Sequence, residues 1–193
     1  MAFRIEDIRG ALKLGGARPT LFQVKLTLPS IVPNGLDISR DASFMIQASA
    51  IPGSTISAIE VPYFGRKIRV AGDRTFQPWS VSILNDEDFK IRQGLETWHN
   101  KINSLEGNVN TTGSSAPNNY KTDAYVYQYA KSGGASGTTP AIIRTYKFVG
   151  LFPTEISPID LDWNRTDEIE TFQVQFAYDY YVVEGPTAGG TIK

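Results

Sequence analysis

From Thr171 to Tyr180 the chain alternates strictly, with Phe172, Val174, Phe176, Tyr178 and Tyr180 on one side and Thr171, Gln173, Gln175 and Asp179 on the other. A period of two fits an extended strand with one dry and one wet face, because a helix would scatter these residues around its axis. The same rhythm recurs along the chain. Phe22, Val24, Leu26 and Leu28 alternate with Gln23, Lys25 and Thr27; Phe44, Ile46 and Ala48 with Ser43, Gln47 and Ser49; Trp79, Val81 and Ile83 with Ser80 and Ser82. Ile59 and Val61, then Ile68 and Val70, flank Pro62-Tyr63-Phe64-Gly65 and read as two extended arms around a bend. Ala124 to Ala130 and Thr145 to Phe152 carry the aromatic and β-branched residues that suit strands.

One segment breaks the period. Ile91, Leu95, Trp98, Ile102 and Leu105 recur at three- and four-residue steps and form one apolar stripe for packing on a sheet. Asn85 is placed to cap this helix, and Asp86, Glu87 and Asp88 would put negative charge on its first turn, where the helix dipole favours it. Gly107 is the expected stop. With many strands and one helix, the expected fold is mainly β: an antiparallel sandwich or distorted barrel with one flanking α-helix. A parallel α/β sheet would need crossover helices that the pattern does not supply. The stretches 107–119 and 132–140 show neither period. No repeat or composition break divides the chain, so 1–193 is expected to be a single domain, with 1–17 as an N-terminal arm, 107–141 as a long loop insertion and 184–193 as a flexible tail.

At 193 residues such a chain buries roughly 70% of its unfolded surface, enough for a core without staples. The absence of cysteine excludes disulfides, thiolate metal sites and cysteine nucleophiles. Lys and Arg total 19 against 20 Asp and Glu, without the basic excess of a dedicated nucleic-acid binder. Near-neutrality also permits close self-association. The first residues lack the apolar run of a signal peptide, and no stretch approaches the roughly 18 apolar residues of a membrane span, so a product made in the cytoplasm is expected.

Candidate chemistry is sparse. His99 is the only histidine and lies beside the helical stripe, where a flanking surface position outweighs a catalytic or metal role. Asp160, Asp162 and Asn164 have the first spacings of an EF-hand, but Arg165 stands where glycine is required and Thr171 where glutamate is. A solvated turn or an intersubunit ion-pair site is the better reading. Tyr120, Tyr125, Tyr127 and Tyr129, near Lys121 and Lys131, could stack bases, though three of them share one strand face and so suit a core or interface. No P-loop is present, and Gly133, Gly134 and Gly137 do not lie between a strand and a helix. No cofactor, metal or catalytic residue is expected.

Two longer blocks are more specific. VAGDRTFQPWSVSILNDEDFKIR (70–92) contains an Ala-Gly-Asp-Arg-Thr-Phe run, a Trp-led strand and an Asn-Asp-Glu segment before a helix with a central Trp98. GLFPTEISPIDLDWNRTDEIETFQVQFAYDYY (150–181) contains a Gly-Leu-Phe-Pro-Thr turn, Leu-Asp-Trp, an acidic turn and a strand closing on Asp-Tyr. Together with RPTLFQVKL (18–26) and VPYFGRKIRVAGDR (61–74), these resemble, in order, the tail-tube proteins of T4-like contractile-tailed phages. The stretch 107–141 is longer and richer in Gly and Ser than that family's pattern, and GPTAGGTIK follows the last strand.

The resemblance implies a fold related to the tube of type VI secretion and a structural, non-enzymatic role in the virion. It implies hexameric rings whose strands join into one inner barrel, stacked into a tube that conducts DNA without reading its sequence. Sheath, tape-measure, baseplate and tail-terminator proteins would be its partners. On this reading, contacts between rings or subunits are expected from Ile5, Ile8 and Leu12, from Tyr63 and Phe64, and from Arg66, Lys67 and Arg69 paired with a neighbour's Asp160, Asp162 or Asp167. The tube of a phage-derived injection machine and a small ligand-binding β-sandwich are the alternatives; an enzyme ranks below both.

Overall fold

The computed structural model describes residues 4–12, 16–110, 116–133 and 140–185. Parts of the N-terminal arm, of the 107–141 insertion and most of the C-terminal tail therefore lie outside the described residues. The fold is mainly β and antiparallel.

Among the described residues, seven strands form one bent sheet. Its order is β1 (Phe22–Leu26), β6 (Thr122–Gly133), β7 (Pro140–Ile156), β8 (Thr171–Ala177), β5 (Trp79–Leu84) and β2 (Ile46–Ser49), with β9 (Tyr180–Glu184) also paired to β7. The long β7 makes the bend. Its first part pairs with β6 and β9, and Phe152–Ile156 pairs with β8. The sheet thus folds on itself into two layers, β1-β6-β7-β9 and β2-β5-β8-β7. A second, two-stranded sheet of β3 (Ser54–Tyr63) and β4 (Arg66–Phe76) stands apart.

The alternation does what a half-buried strand requires. Trp79, Val81 and Ile83 of β5 and Phe172, Val174 and Phe176 of β8 are buried, and their neighbours are not. Trp79 stacks on Phe148 of β7 at 4.4 Å between centroids, and its indole N–H donates to the Ala50 carbonyl at 3.0 Å. Burial of each such aliphatic or Phe side chain contributes about 1.5–3 kcal/mol.

The predicted helix exists as α3 (Lys90–Ile102), and Ile91, Leu95 and Trp98 are buried as expected, with Ile102 partly buried against the core. Its ends differ from expectation. Asn85 does not cap it: that side chain donates to Glu170 Oε2 at 2.9 Å instead. Asp86–Asp88 form a turn ahead of the helix, closed by the Phe89 N–H donating to the Asp86 carbonyl at 2.9 Å, and Phe89 enters the helix at φ 52. At the other end Asn103 turns extended, Asn100 Oδ1 accepts from the Leu105 N–H, and Leu105 points to solvent at 89% exposure. Leu105 therefore packs on nothing, and Gly107 lies in the following turn rather than at the helix end. Gly94 is tolerated within α3 because a Cβ there would come within 2.9 Å of Ile38. That close approach seats a second helix, α2 (Gly35–Met45), against α3.

α2 corrects the reading of Phe44 as a strand residue. Ile38 and Ala42, one helical turn apart, face the core, while Phe44 is exposed and only Ile46–Ser49 is strand. The final strand is also interrupted. The Asp179 N–H donates to the Val149 carbonyl, and Lys121 Nζ grips the Asp179 carboxylate at 2.7 and 3.0 Å. Gly150, at φ 70, leaves room for that carboxylate, which a Cβ would strike. The chain therefore passes at Tyr178–Asp179 from the Phe152–Ile156 segment of β7 to its Thr145–Val149 segment, and Tyr180 does not share a face with Phe172. Within the apparently patternless stretches, Pro117–Tyr120 forms a short helix, α4, and β6 runs to Gly133.

Candidate assembly surfaces

The β3–β4 hairpin is the outlier of the molecule. Every residue of β3 is exposed, and β4 is exposed except at Gly72 and Phe76. Opposed pairs share a face. Ile59 faces Val70, Val61 faces Ile68 and Tyr63 faces Arg66, so one side is an apolar strip whose Ile59, Val61, Tyr63, Ile68 and Val70 are 46–62% exposed. The other side carries Glu60 opposite Arg69, and Pro62 opposite Lys67. There Lys67 Nζ lies 2.6 Å from Glu60 and Arg69 Nε 3.5 Å. Gly72 sits where the register shifts, and a Cβ would collide with Ser57.

The tip is a two-residue turn with positive φ at both Phe64 (42°) and Gly65 (78°). That geometry suits Asn-Gly or Gly-Gly, and a bulky Phe there is strained. Phe64 is 91% exposed, its ring edge-on to Tyr63 at 4.8 Å. At the base, Phe76 meets Tyr178 and Tyr181 at 5.8 and 5.6 Å, pinning the hairpin to the body.

A second surface is the 157–170 loop. Ser157 and Glu170 anchor its ends, through the Ser157 N–H to the Gln173 carbonyl and the Asn85 N–H to the Glu170 carbonyl, both 2.8 Å. Between them the loop surrounds a depression of about 470 Å³ lined by Asp160, Asp162, Arg165, Glu168 and apolar neighbours. Trp163, Leu161 and Ile169 stand in solvent on it. Asp162 Oδ1 accepts from the Asn164 N–H and side chain at 2.9 and 3.0 Å, which holds the turn. No ion pair among the described residues involves Asp160, Asp162, Asp167 or Arg66. A third surface is α1 (Ile5–Ala11), which exposes Ile5 and Ile8, with Leu12 just beyond it.

The structure does not bring the hairpin cations and the loop acids together within one chain, since none of these residues pair with each other. Leu161 and Trp163 belong to the Leu-Asp-Trp motif of the 150–181 block, but their exposure, like that of Ile169, does not follow from the sequence. His99 is exposed on α3. The β6 tyrosines stack on each other, Tyr125 on Tyr127 at 6.1 Å and 4° between planes, with Lys147 Nζ 5.6 Å over Tyr125 and the Tyr129 hydroxyl 2.7 Å from Gln23 Oε1. Burial, then the neighbouring Tyr125, Tyr129 and Glu184, push the Tyr127 hydroxyl above its ordinary range.

The patterned β body thus carries an amphipathic hairpin whose apolar face is open to solvent. The chain belongs to the phage tail tube protein family, whose description matches residues 17–184. It is 35% identical over 178 residues to tail tube protein gp19 of Enterobacteria phage T4 and 34% to that of Enterobacteria phage T6, covering in each case 92% of this chain and 98% of the relative. Among solved structures, a chain of the sheath/tube terminator of an extracellular contractile injection system in its extended state shares the fold at a TM-score of 0.59 and 13% identity, over 88% of this chain and 97% of that one. The protein is accordingly a tail tube protein of a contractile-tailed phage, a structural component of the virion and not an enzyme.

Proposed function

We propose that this chain works as a single domain that closes into hexameric rings, and that the rings stack into the inner tube conducting DNA from capsid to host. The observation that carries the reading is the bare apolar face of the β3–β4 hairpin. An isolated two-stranded hairpin is marginal in water, and strand edges left open invite pairing with another chain. Tube growth supplies the missing cover at every hairpin at once. Tyr63 and Phe64 lead the tip toward a neighbour, and Arg66, Lys67 and Arg69 meet the acids of its 157–170 loop, Asp160, Asp162 and Asp167. Ile5, Ile8 and Leu12 add a second apolar contact between copies. Sheath protein surrounds the tube, tape-measure protein occupies it before DNA, and baseplate and terminator proteins bound its ends.

The test is negative-stain electron microscopy of the purified chain across a concentration series, with and without added baseplates. Six-fold rings or uniform hollow tubes are expected. Arg66→Glu should suppress them and Asp162→Lys on the same chain should partly restore them. Monomers at every concentration, baseplates included, would end the tube reading; tubes unaffected by Arg66→Glu would end only the pairing.

A further inference from the structure

Phe44, near the C-terminal end of α2, is 74% exposed, and Leu161, Trp163 and Ile169 of the 157–170 loop stand in solvent. The register of β2-β5-β8-β7 puts all four at one end of the body. Ser49, Val81, Val174 and Ile156 form one row, and Ile46, Ile83 and Phe172 form a row further out. The chain therefore enters β2 from α2 at the same end at which it leaves β7 for the loop. The β3–β4 hairpin joins the opposite end, where Ser54 follows β2 and Phe76 precedes β5. Within one chain, however, β2 and β7 are the two margins of this layer, three strand spacings of about 4.8 Å apart.

Both margins are open among the described residues: β2 pairs only with β5, and Phe152–Ile156 of β7 pairs only with β8. A copy turned about an axis running along the strands keeps each end of the body where it is. It sets β7 of one copy beside β2 of the next, antiparallel, because β7 runs toward the loop end and β2 away from it. In an untilted wall Ile156 then stands level with Ser49. The loop that follows Ile156 thus continues beside Ile46 and the turn of α2 that carries Phe44.

Resting on the tube reading, we propose that the 157–170 loop of one copy clasps the C-terminal turn of α2 in the next copy around the ring, with Phe44 seated against Leu161, Trp163 and Ile169. The depression of about 470 Å³ lined by these three residues is the seat. A large aromatic in a pocket rimmed by polar groups is the usual anchor of an interface. Charge follows the same arrangement. Arg40, one turn before Phe44, is held only loosely in its own chain, 3.7 Å from Asp41, and Glu168 in the lining has no ion pair among the described residues. Arg40 therefore meets Glu168 across the seam, and Arg165, the one cation of the loop, is left to Asp41. Asp160 and Asp162 remain for a hairpin arriving from another ring.

The chain has no cysteine, so introduced thiols report on one contact at a time. The double variant Phe44→Cys/Trp163→Cys is assembled, its tubes are counted by electron microscopy, and it is treated with a short bismaleimide. Expected on a denaturing gel is a ladder that ends at the hexamer, with neither single variant giving one. A ladder running past the hexamer puts the contact between rings, and intact tubes without a ladder deny it altogether; either result overturns the clasp. If the unsubstituted chain makes neither rings nor tubes, the tube reading beneath it fails instead. Phe44→Ser supplies a second readout. Its urea midpoint should match the parent's, because the side chain is exposed in the free subunit, while ring formation should need about tenfold more protein. Assembly at the parent's concentration would mean that Phe44 has no seat in a neighbour.

Discussion

Strand β5 and strand β3 obey the same period-two rule and end in opposite circumstances. In β5 every second residue is buried, because α2 and the opposing layer cover that face; in β3 none is, although Ile59 and Val61 alternate as regularly as Trp79 and Val81. Alternation encodes that a strand has an apolar face. It does not encode what covers the face, and in this protein the cover for the hairpin is expected to come from outside the chain.

Substitutions in the two regions should therefore separate folding from assembly. Trp79→Ala removes a fully buried ring that stacks on Phe148 and a hydrogen bond to Ala50. A loss of about 3–5 kcal/mol is expected, read as a lower urea midpoint. Ile59→Ser with Ile68→Ser takes apolar groups from a solvent-exposed strip, so the midpoint should move by no more than about 0.5 kcal/mol. Tube growth should nonetheless need a much higher protein concentration, about tenfold for each 1.4 kcal/mol of lost contact. If the hairpin double variant unfolded like Trp79→Ala, or polymerised normally, the contrast would collapse.

The same distinction explains what was legible in the sequence. Strands with a covered face were visible because their pattern and burial coincide, as in Phe172–Phe176 and Trp79–Ile83. α3 was visible from its stripe, but its start was not, because Asn85 is drawn to Glu170, 85 residues away, and the acids close a turn instead of capping. α2 was hidden because its buried face is only Ile38 and Ala42, while Phe44 beside Ile46 imitated a strand. The break at Tyr178–Asp179 depends on Lys121, distant in sequence, and no local period reports it. Of the assembly surfaces, the hairpin arms and bend were readable; the exposed Leu161, Trp163 and Ile169 required coordinates.

The hairpin tip sharpens the comparison. Phe64 occupies left-handed backbone, which costs a bulky residue roughly 1–2 kcal/mol, whereas glycine adopts it freely. Phe64→Gly should order the free hairpin, seen as slower amide exchange at Val61 and Ile68, and should weaken tube assembly because the exposed ring is gone. A residue retained only for local folding would give the reverse. Unchanged exchange together with unchanged assembly would mean that the strain serves neither.

The smallest expected effect lies where the two regions meet. Tyr178 packs against Phe76 at the hairpin base and Phe148 in the core, and its buried hydroxyl has no hydrogen-bond partner. Burial, then the nearby Tyr181, raise its pKa above the ordinary 10.0. The folded state therefore holds this proton more tightly than the unfolded chain. Its contribution is intact below pH 10 and is lost as pH rises through the higher folded value. Tyr178→Phe removes an unsatisfied donor at nearly constant volume, so stability at neutral pH should be unchanged or higher by up to about 1 kcal/mol. It should also flatten the decline in denaturation midpoint above pH 10. A clear loss of stability at neutral pH would mean that the hydroxyl has a partner in solution, and that the hairpin base is joined to the body by more than ring packing.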